Sequence, residues 1–227
     1  MNDIGLVQRL SAVDACAVSD ALDKLGLPGS VTGLTRYATD RRISGRVVTV
    51  KLDVGDGRPF DSAQGRPVAS RHLCTAAIEA AQPGDVIVVE QRTGIDAAGW
   101  GGNLSCGAGL RGVAGVIVEG PARDIDEARG YGFPVFARAH TARTARGRIA
   151  ESATNVPITV GDVTVTPGDY VVADGSGVVF VVAAEIERVL EAAEAIVERE
   201  RAMAAAIQQG APISQVMGKS YETMLKR

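Results

Sequence analysis

Apolar residues recur along the chain in two rhythms, and each change of rhythm marks an element. Leu6, Leu10, Val13, Ala17 and Leu22 fall near helical spacing and run out at Gly26 and Pro28, which predicts one helix, or two short ones, at the start. "RISGRVVTVKLDV" is β-branched and partly alternating, the pattern of a strand, and "GDGRPFDSAQGRP" behind it has the Gly, Pro and Asp content of a loop. "VASRHLCTAAIEAAQPGDVIVVEQ" reads as an Ala-rich helix, a Pro-Gly-Asp turn and a short buried strand from Val86 to Val89. After the loop "RTGIDAAGWGG" the pattern predicts a helix from Asn103 to about Leu110 and a strand from Gly115 to Val118. A short helix from Asp124 to Ala128 and a strand from Val135 to Arg138 follow.

That alternation is a βαβαβ series, in which binding groups collect at the carboxyl ends of the strands. The last third changes character. "PITVGDVTVTPGDYVVADGSGVVFVV" offers three short strands split by Gly-Asp, Pro-Gly-Asp and Asp-Gly turns, a meander of hairpins. A long helix from about 184 to 209 carries Ile186, Val189, Leu190, Ala193, Ile196 and Val197 on one face and stops at Gly210. No repeat or low-complexity tract interrupts the chain, so residues 1–227 read as one domain of the α/β class.

Charge narrows the partners. Twenty-four Lys and Arg against 27 Asp and Glu give a formal charge of -3, which removes the basic surplus expected of a nucleic-acid binder. The longest apolar run, around Val113 to Val118, falls far short of the roughly 20 residues that span a bilayer, so no membrane association is expected. Three cysteines, Cys16, Cys74 and Cys106, lie far apart without CxxC spacing, in a chain that opens without a signal peptide; the expected setting is a reducing cytoplasm and the thiols read as core residues. The only lysines are Lys24, Lys51, Lys219 and Lys226, which leaves little scope for a Schiff-base amine.

The candidate chemistry lies at Ala122-Arg123-Asp124, where a buried strand exits. The first N–H groups of the following helix attract anions there, Arg123 offers a planar fork of donors to a carboxylate, and Asp124 is a hard oxygen ligand suited to Mg²⁺. Gly102, Asn103 and Leu104 follow the preceding strand, and their backbone N–H groups would face the same space if the two strands are neighbours. Such a site would hold a 2-oxo acid and stabilise its enolate, the species formed by retro-aldol cleavage or by decarboxylation of an oxo-diacid. The same residues also spell a capping box, Asp124-Ile-Asp-Glu127, in which Asp124 caps its own helix and Arg123 is a surface residue. The glycine cluster can equally be an ordinary turn.

Gly102, twenty residues, Arg123-Asp124 and an acidic Glu127 three positions on form a motif by which the chain resembles the RraA-like proteins (regulator of ribonuclease activity A). These include the class II 4-hydroxy-4-methyl-2-oxoglutarate/4-carboxy-4-hydroxy-2-oxoadipate aldolases. "SDALDKLG", "RISGRVVTV", "PGDVIVVE", "GFPVFAR" and "VTPGDYVVADGSGVVFVV" extend the resemblance over nearly the whole chain. It implies a three-layer β/β/α sandwich of the swivelling-domain type with a long C-terminal helix. It also implies a homotrimer or dimer of trimers in which that helix and the tail pack on a neighbouring subunit. The roles it implies are Arg123 on the pyruvate enolate, Asp124 as ligand to Mg²⁺ or Mn²⁺, and the amides of Gly102, Asn103 and Leu104 on the substrate carboxylate. A carboxylate from the neighbour's long helix, placed at Glu200 with Glu198 as the alternative, approaches the metal's waters. Asn103 departs from the acidic residue frequent at that position and cannot shuttle a proton.

Several other side chains stay open. His72 with Arg71 could meet a distal substrate carboxylate or be a helix-surface pair; His140 reads as loop surface; Trp100 could wall the site or pack; Asp96 could contact water or serve a turn. The expected activity is a divalent-metal-dependent aldolase releasing pyruvate from a 4-hydroxy-2-oxo acid or diacid, with oxaloacetate decarboxylation related to it. The alternative is a non-catalytic regulator that binds and inhibits a ribonuclease.

Overall fold

The computed structural model describes residues 3–55 and 72–218. Two helices open the chain, α1 (Asp3–Ala12) and α2 (Ala15–Leu25). They are separate because Asp14 is extended and its carboxylate accepts the Ala17 N–H at 2.8 Å, capping α2. Gly26 ends α2 in a left-handed turn at φ 68°, as the Gly-Pro signal predicts.

Short strands β1 (Ser30–Val31) and β2 (Thr35–Ala38) lead to the long β3 (Ile43–Val54). The alternating stretch follows as α3 (Thr75–Ala80), β4 (Val86–Gln91), α4 (Gly102–Leu110), β5 (Gly115–Ala122), α5 (Ile125–Gly130) and β6 (Val135–His140). Most of the predicted loop after β3 and the head of the Ala-rich helix, with Arg71, lie outside the described residues. Then come β7 (Ile149–Thr154), β8 (Ile158–Val160), β9 (Val163–Val165), β10 (Tyr170–Ala173), β11 (Val178–Val181), α6 (Ile186–Gln208) and α7 (Ile213–Val216).

The main sheet runs β1-β11-β10-β3-β4-β5-β6-β2, with β3 to β6 mutually parallel and the outer strands antiparallel. One edge of β3 serves β4, and the other pairs first with β10 and then with β7. The predicted meander is corrected: β8 and β9 form a separate two-stranded sheet, while β10 and β11 join the main one, so the Pro-Gly-Asp turn at 167–169 changes sheets.

Period-2 alternation sorts side chains onto two faces and so builds three cores. Val48, Val50, Ile87, Val89, Val116, Val118, Val135 and Ala137 face α3, α4 and α5. Their alternates Val47, Val86, Val88, Ile117 and Phe136 turn inward, meeting Val171, Phe180 and the β8–β9 hairpin residues Ile158, Val160 and Val165 inside the curled sheet. Tyr170, Val172, Val179 and Val181 face α1, α2 and α6. The fold is thus the mixed α/β, β/β/α-layered architecture expected, with the long C-terminal helix against its antiparallel side.

Five of the six residues read as the inner face of that helix, Ile186, Val189, Leu190, Ala193 and Ile196, are buried. Val197 is partly buried, at the level where α6 leaves the body. Leu190→Ala should therefore cost about 3 kcal/mol by removing a fully buried side chain between α6 and the sheet. Urea unfolding would read this as a lower midpoint at unchanged slope; an unaltered midpoint would contradict the packing of α6.

Candidate functional site

β4 and β5 are parallel neighbours, in register from Val86 opposite Gly115 to Glu90 opposite Glu119, so their carboxyl ends emerge side by side. β5 does not stop at Val118. A bulge between Val118 and Pro121 absorbs Gly120, and pairing resumes with Pro121 opposite Ala139 and Ala122 opposite His140. The loop behind β4 then folds along this extension. Gly99 N–H donates to the Pro121 carbonyl at 2.9 Å, Trp100 bridges Ala122, and Arg123 N–H donates to the Trp100 carbonyl at 2.9 Å. Gly101 and Gly102 are thereby laid against Arg123 and Asp124.

The contact that results is specific. Gly102 opens α4, and its N–H donates to Asp124 Oδ2 at 3.0 Å. Arg123 Nε donates to both Asp124 oxygens, at 3.0 and 3.1 Å. Asp124 stands at the N-cap position of α5 yet makes no capping bond to it; its backbone is left-handed, φ 56°, and its carboxylate serves the neighbouring helix instead. The capping-box reading is therefore not realised. A non-glycine residue in this region is strained, and Asp is among the few that tolerate it.

Two glycines make room for the approach. A Cβ on Gly101 would stand 2.9 Å from Asp124 Oδ2, and one on Gly102 would stand 1.8 Å from Glu127 Oε2. The acidic residue of the motif thus abuts the glycine of the motif. Asn103 and Leu104 occupy the first turn of α4, where N–H groups have no intrahelical acceptor, so they remain the donors available to an anion while Gly102 is committed to Asp124.

Around the pair opens a cleft whose walls include His72, Trp100, Asn103, Leu104, Thr144 and Arg146. Arg123 and Asp124 are 36% and 27% exposed, open enough to meet a ligand yet held by protein on one side. Arg123 spends only Nε on Asp124; its Nη groups have no acceptor among the described residues. Trp100 both walls the cleft and packs: it is buried, stacks on Phe133 at 6.1 Å, and donates Nε1–H to Ser105 Oγ at 2.9 Å.

Other candidates fall away from the cleft. Asp96 pairs with Arg143 at 3.6 Å, and His140 is exposed with its ring against Tyr37. Lys51 pairs with the buried Glu90 at 3.7 Å. Of the cysteines only Cys74 is a core residue, its thiol pushed well up by burial and by Glu151; Cys106 is half-buried and Cys16 exposed, contrary to the core reading. Glu198 and Glu200 are both exposed on α6 and neither lines the cleft of its own chain. Partial desolvation, then the charges of Asp14 and Asp20, push the Glu200 carboxyl up.

The donor set limits the metal. Among the described residues no three His, Cys, Asp or Glu side chains converge, and Asp124 is the one carboxylate in the cleft wall. A single oriented carboxylate fits Mg²⁺ or Mn²⁺, which keep most of their waters, and does not fit zinc or an iron centre. Sequence reasoning missed Arg146 and Thr144, because "TARTARGR" presents three arginines with nothing to tell them apart.

A family model described as RraA-like, Aldolase/RraA, matches residues 15–180. A Halalkalibacterium halodurans protein named, provisionally, as a 4-hydroxy-4-methyl-2-oxoglutarate aldolase is 30% identical over 192 residues, 85% of this chain and 83% of that one. Protein DlpA of Legionella pneumophila is 25% identical over 210 residues, 92% of this chain; the chain spans about a third (33%) of that relative's length. The crystal structure of Streptomyces coelicolor RraAS2, described as an unusual member of the RNase ES inhibitor RraA protein family, superposes with a TM-score of 0.73 at 27% identity. The match covers 88% of this chain and 96% of that one.

Proposed function

The chain belongs to the RraA-like family, and from that premise we propose that it is a divalent-metal-dependent lyase that cleaves a 4-hydroxy-2-oxo acid to pyruvate and a second carbonyl compound. The observation that carries this reading is Asp124, turned out of its own helix cap and pinned between the Gly102 N–H and Arg123 at the cleft mouth. A surface cap has no use for that strained geometry; a ligand-holding carboxylate does.

In this reading Asp124 holds Mg²⁺ or Mn²⁺, whose charge supplies stabilisation of a developing enolate. The N–H groups of Asn103 and Leu104, at the positive end of α4, orient the substrate's C1 carboxylate. Arg123, anchored through Nε, turns its Nη donors to the 2-oxo oxygen, where negative charge grows as the reaction proceeds. A base takes the proton of the C4 hydroxyl, the C3–C4 bond breaks with its electron pair moving to C3, and the departing fragment leaves as a carbonyl compound. The enolate then takes a proton at C3 to become pyruvate. Asn103 cannot carry either proton. Glu200 of a neighbouring copy in a homotrimer or dimer of trimers is assigned that task, with Glu198 as the alternative; partial desolvation and the charges of Asp14 and Asp20 push its carboxyl up, the direction that favours a proton-exchanging group. Oxaloacetate decarboxylation would pass through the same enolate.

The deciding assay is pyruvate release coupled to lactate dehydrogenase, before and after treatment with a chelator that is then dialysed away. Activity should vanish with the metal and return with Mg²⁺ or Mn²⁺; undiminished release in chelator would sink the reading. The similarity to RraAS2 favours a second reading, a regulator that binds a ribonuclease. Stoichiometric capture of a ribonuclease together with no pyruvate release would put it first.

A further inference from the structure

Gln91 is the last residue of β4, only 5% exposed, and its side chain lies between the two segments that build the site. Its Nε2 donates to the Ile95 carbonyl at 3.1 Å and to the Ala97 carbonyl at 2.8 Å, across the loop that leaves β4. Two carbonyls facing one side-chain amide fix its orientation, because only its NH₂ group donates, and it donates twice. No other donor reaches the Ala97 carbonyl among the described residues, and Ala97 is fully buried, so the bond satisfies an acceptor shut off from solvent.

Glycines flank the rest of the side chain. A Cβ on Gly99 would stand 2.9 Å from Gln91 Oε1, and one on Gly120 would stand 2.8 Å from the same oxygen and 2.9 Å from the Gln91 Cβ. Gly99 begins the segment that carries Gly101 and Gly102, and Gly120 sits in the β5 bulge just ahead of Pro121 to Asp124. The first bond between these segments, from the Gly99 N–H to the Pro121 carbonyl at 2.9 Å, is made by the same glycine that abuts the amide. One buried side chain thus meets the base of both cleft walls while making no hydrogen bond to Arg123 or Asp124.

We infer that Gln91 is a positioning residue: its amide sets how the Gly99 to Gly102 segment lies along β5, and through that the contact of the Gly102 N–H with Asp124. Its effect on turnover rests on the lyase reading above; its effect on the loop does not. A misplacement of about 1 Å can cost roughly 10²-fold in rate even when the altered residue touches no reacting atom. Support behind a metal-holding carboxylate is worth about 10- to 100-fold in metal affinity.

The test compares the full chain with Gln91→Met, which keeps the shape and deletes both donors, and with Gln91→Glu, in which donation depends on protonation. In the metal-free chain, hydrogen exchange at Gly99, Gly102 and Arg123 should quicken about 10-fold or more in Gln91→Met, while the amides of the β10–β11 ladder keep their rates. Mn²⁺ should bind roughly 10-fold more weakly, read by electron paramagnetic resonance, and kcat/KM for pyruvate release should fall about 10- to 100-fold. A buried carboxyl facing two carbonyls is held protonated by desolvation and by those dipoles, and only the protonated form donates. Protection of the same three amides in Gln91→Glu, relative to the unaltered chain, should therefore decline as pH rises from about 5 to about 8.

Protection lost evenly over the whole chain, or retained at those three amides, overturns the inference, as does equal Mn²⁺ affinity in the variants where the unaltered chain binds Mn²⁺. Should Gln91→Met fail to fold, the pH series on Gln91→Glu decides alone, and a flat series overturns the inference. Local loss of protection with neither Mn²⁺ binding nor pyruvate release by the unaltered chain leaves the role of Gln91 and removes the lyase. Equal release by all three forms with unchanged exchange removes the role of Gln91 and leaves the lyase standing.

Discussion

Arg123→Ala should lower kcat for pyruvate release by roughly 10²–10³-fold, the usual loss when a donor to a developing oxyanion is deleted. The side chain has two tasks at once, Nε on the Asp124 carboxylate and Nη toward the substrate, so Arg123→Lys should rescue little: one ammonium cannot reach both. Asp124→Ala should be at least as damaging, with an additional signature. Mn²⁺ titration followed by electron paramagnetic resonance should show the bound fraction lost in Asp124→Ala and kept in Arg123→Ala. Stability should change by less than about 1 kcal/mol in Arg123→Ala, because the pair is partly exposed, and by about 1–2 kcal/mol in Asp124→Ala, which leaves position 124 left-handed with a residue less tolerant of it and the Gly102 N–H without its acceptor. Full activity of either alanine variant would remove the site from this cleft.

The second large effect concerns stability. Gly45→Ala would put a methyl group 2.1 Å from the backbone carbonyl oxygen of Gly84 and 3.2 Å from Val86 Cγ2. Neither the β3 backbone nor the turn leading into β4 can swing aside, in contrast to Gly102, where the obstacle is the end of the flexible Glu127 side chain. The expected cost is about 3 kcal/mol or more, which for a chain of this size lowers Tm by roughly 6–12 °C in a calorimetric scan. Gly107→Ala is the control. That glycine lies inside α4 with open space around it, so the same exchange there should be neutral or stabilising by about 0.5–1 kcal/mol. Equal Tm values for the two variants would contradict the packing of β3 on the 82–86 turn.

What the sequence disclosed and what it withheld divide along burial. β4, β5 and β6 were legible because both faces are covered and their apolar runs are dense. β7 was not, since only Ile149 of its six residues is buried and Ile-Ala-Glu-Ser-Ala-Thr carries no apolar-polar alternation. The end of β5 was read four residues early because Gly120-Pro121 has the look of a terminator, whereas a bulge carries the strand through it. At the site, residue types and spacing pointed to Arg123 and Asp124, but local sequence could not decide between a carboxylate that caps its own helix and one that reaches the next. That choice depends on how the Gly99–Trp100 segment lies along β5, a contact between residues more than twenty positions apart. Arg146 was illegible for a simpler reason: its neighbours' partners, Asp96 and the Thr144 carbonyl, are known only from the folded loop.

The interval between Gly102 and Arg123 is in fact a ruler. It measures one descent along α4, a turn at 111–114 at the opposite end of the strands, and one return along β5. Residues added to that remote turn would lengthen the count without moving either end, because the two ends are fastened to each other by the Gly102–Asp124 bond and the Arg123–Trp100 bond. A homologue with a longer turn there would keep the site and escape any search that insists on twenty intervening residues. One with the right count but a side chain at position 101 would satisfy a looser search and crowd the Asp124 carboxylate.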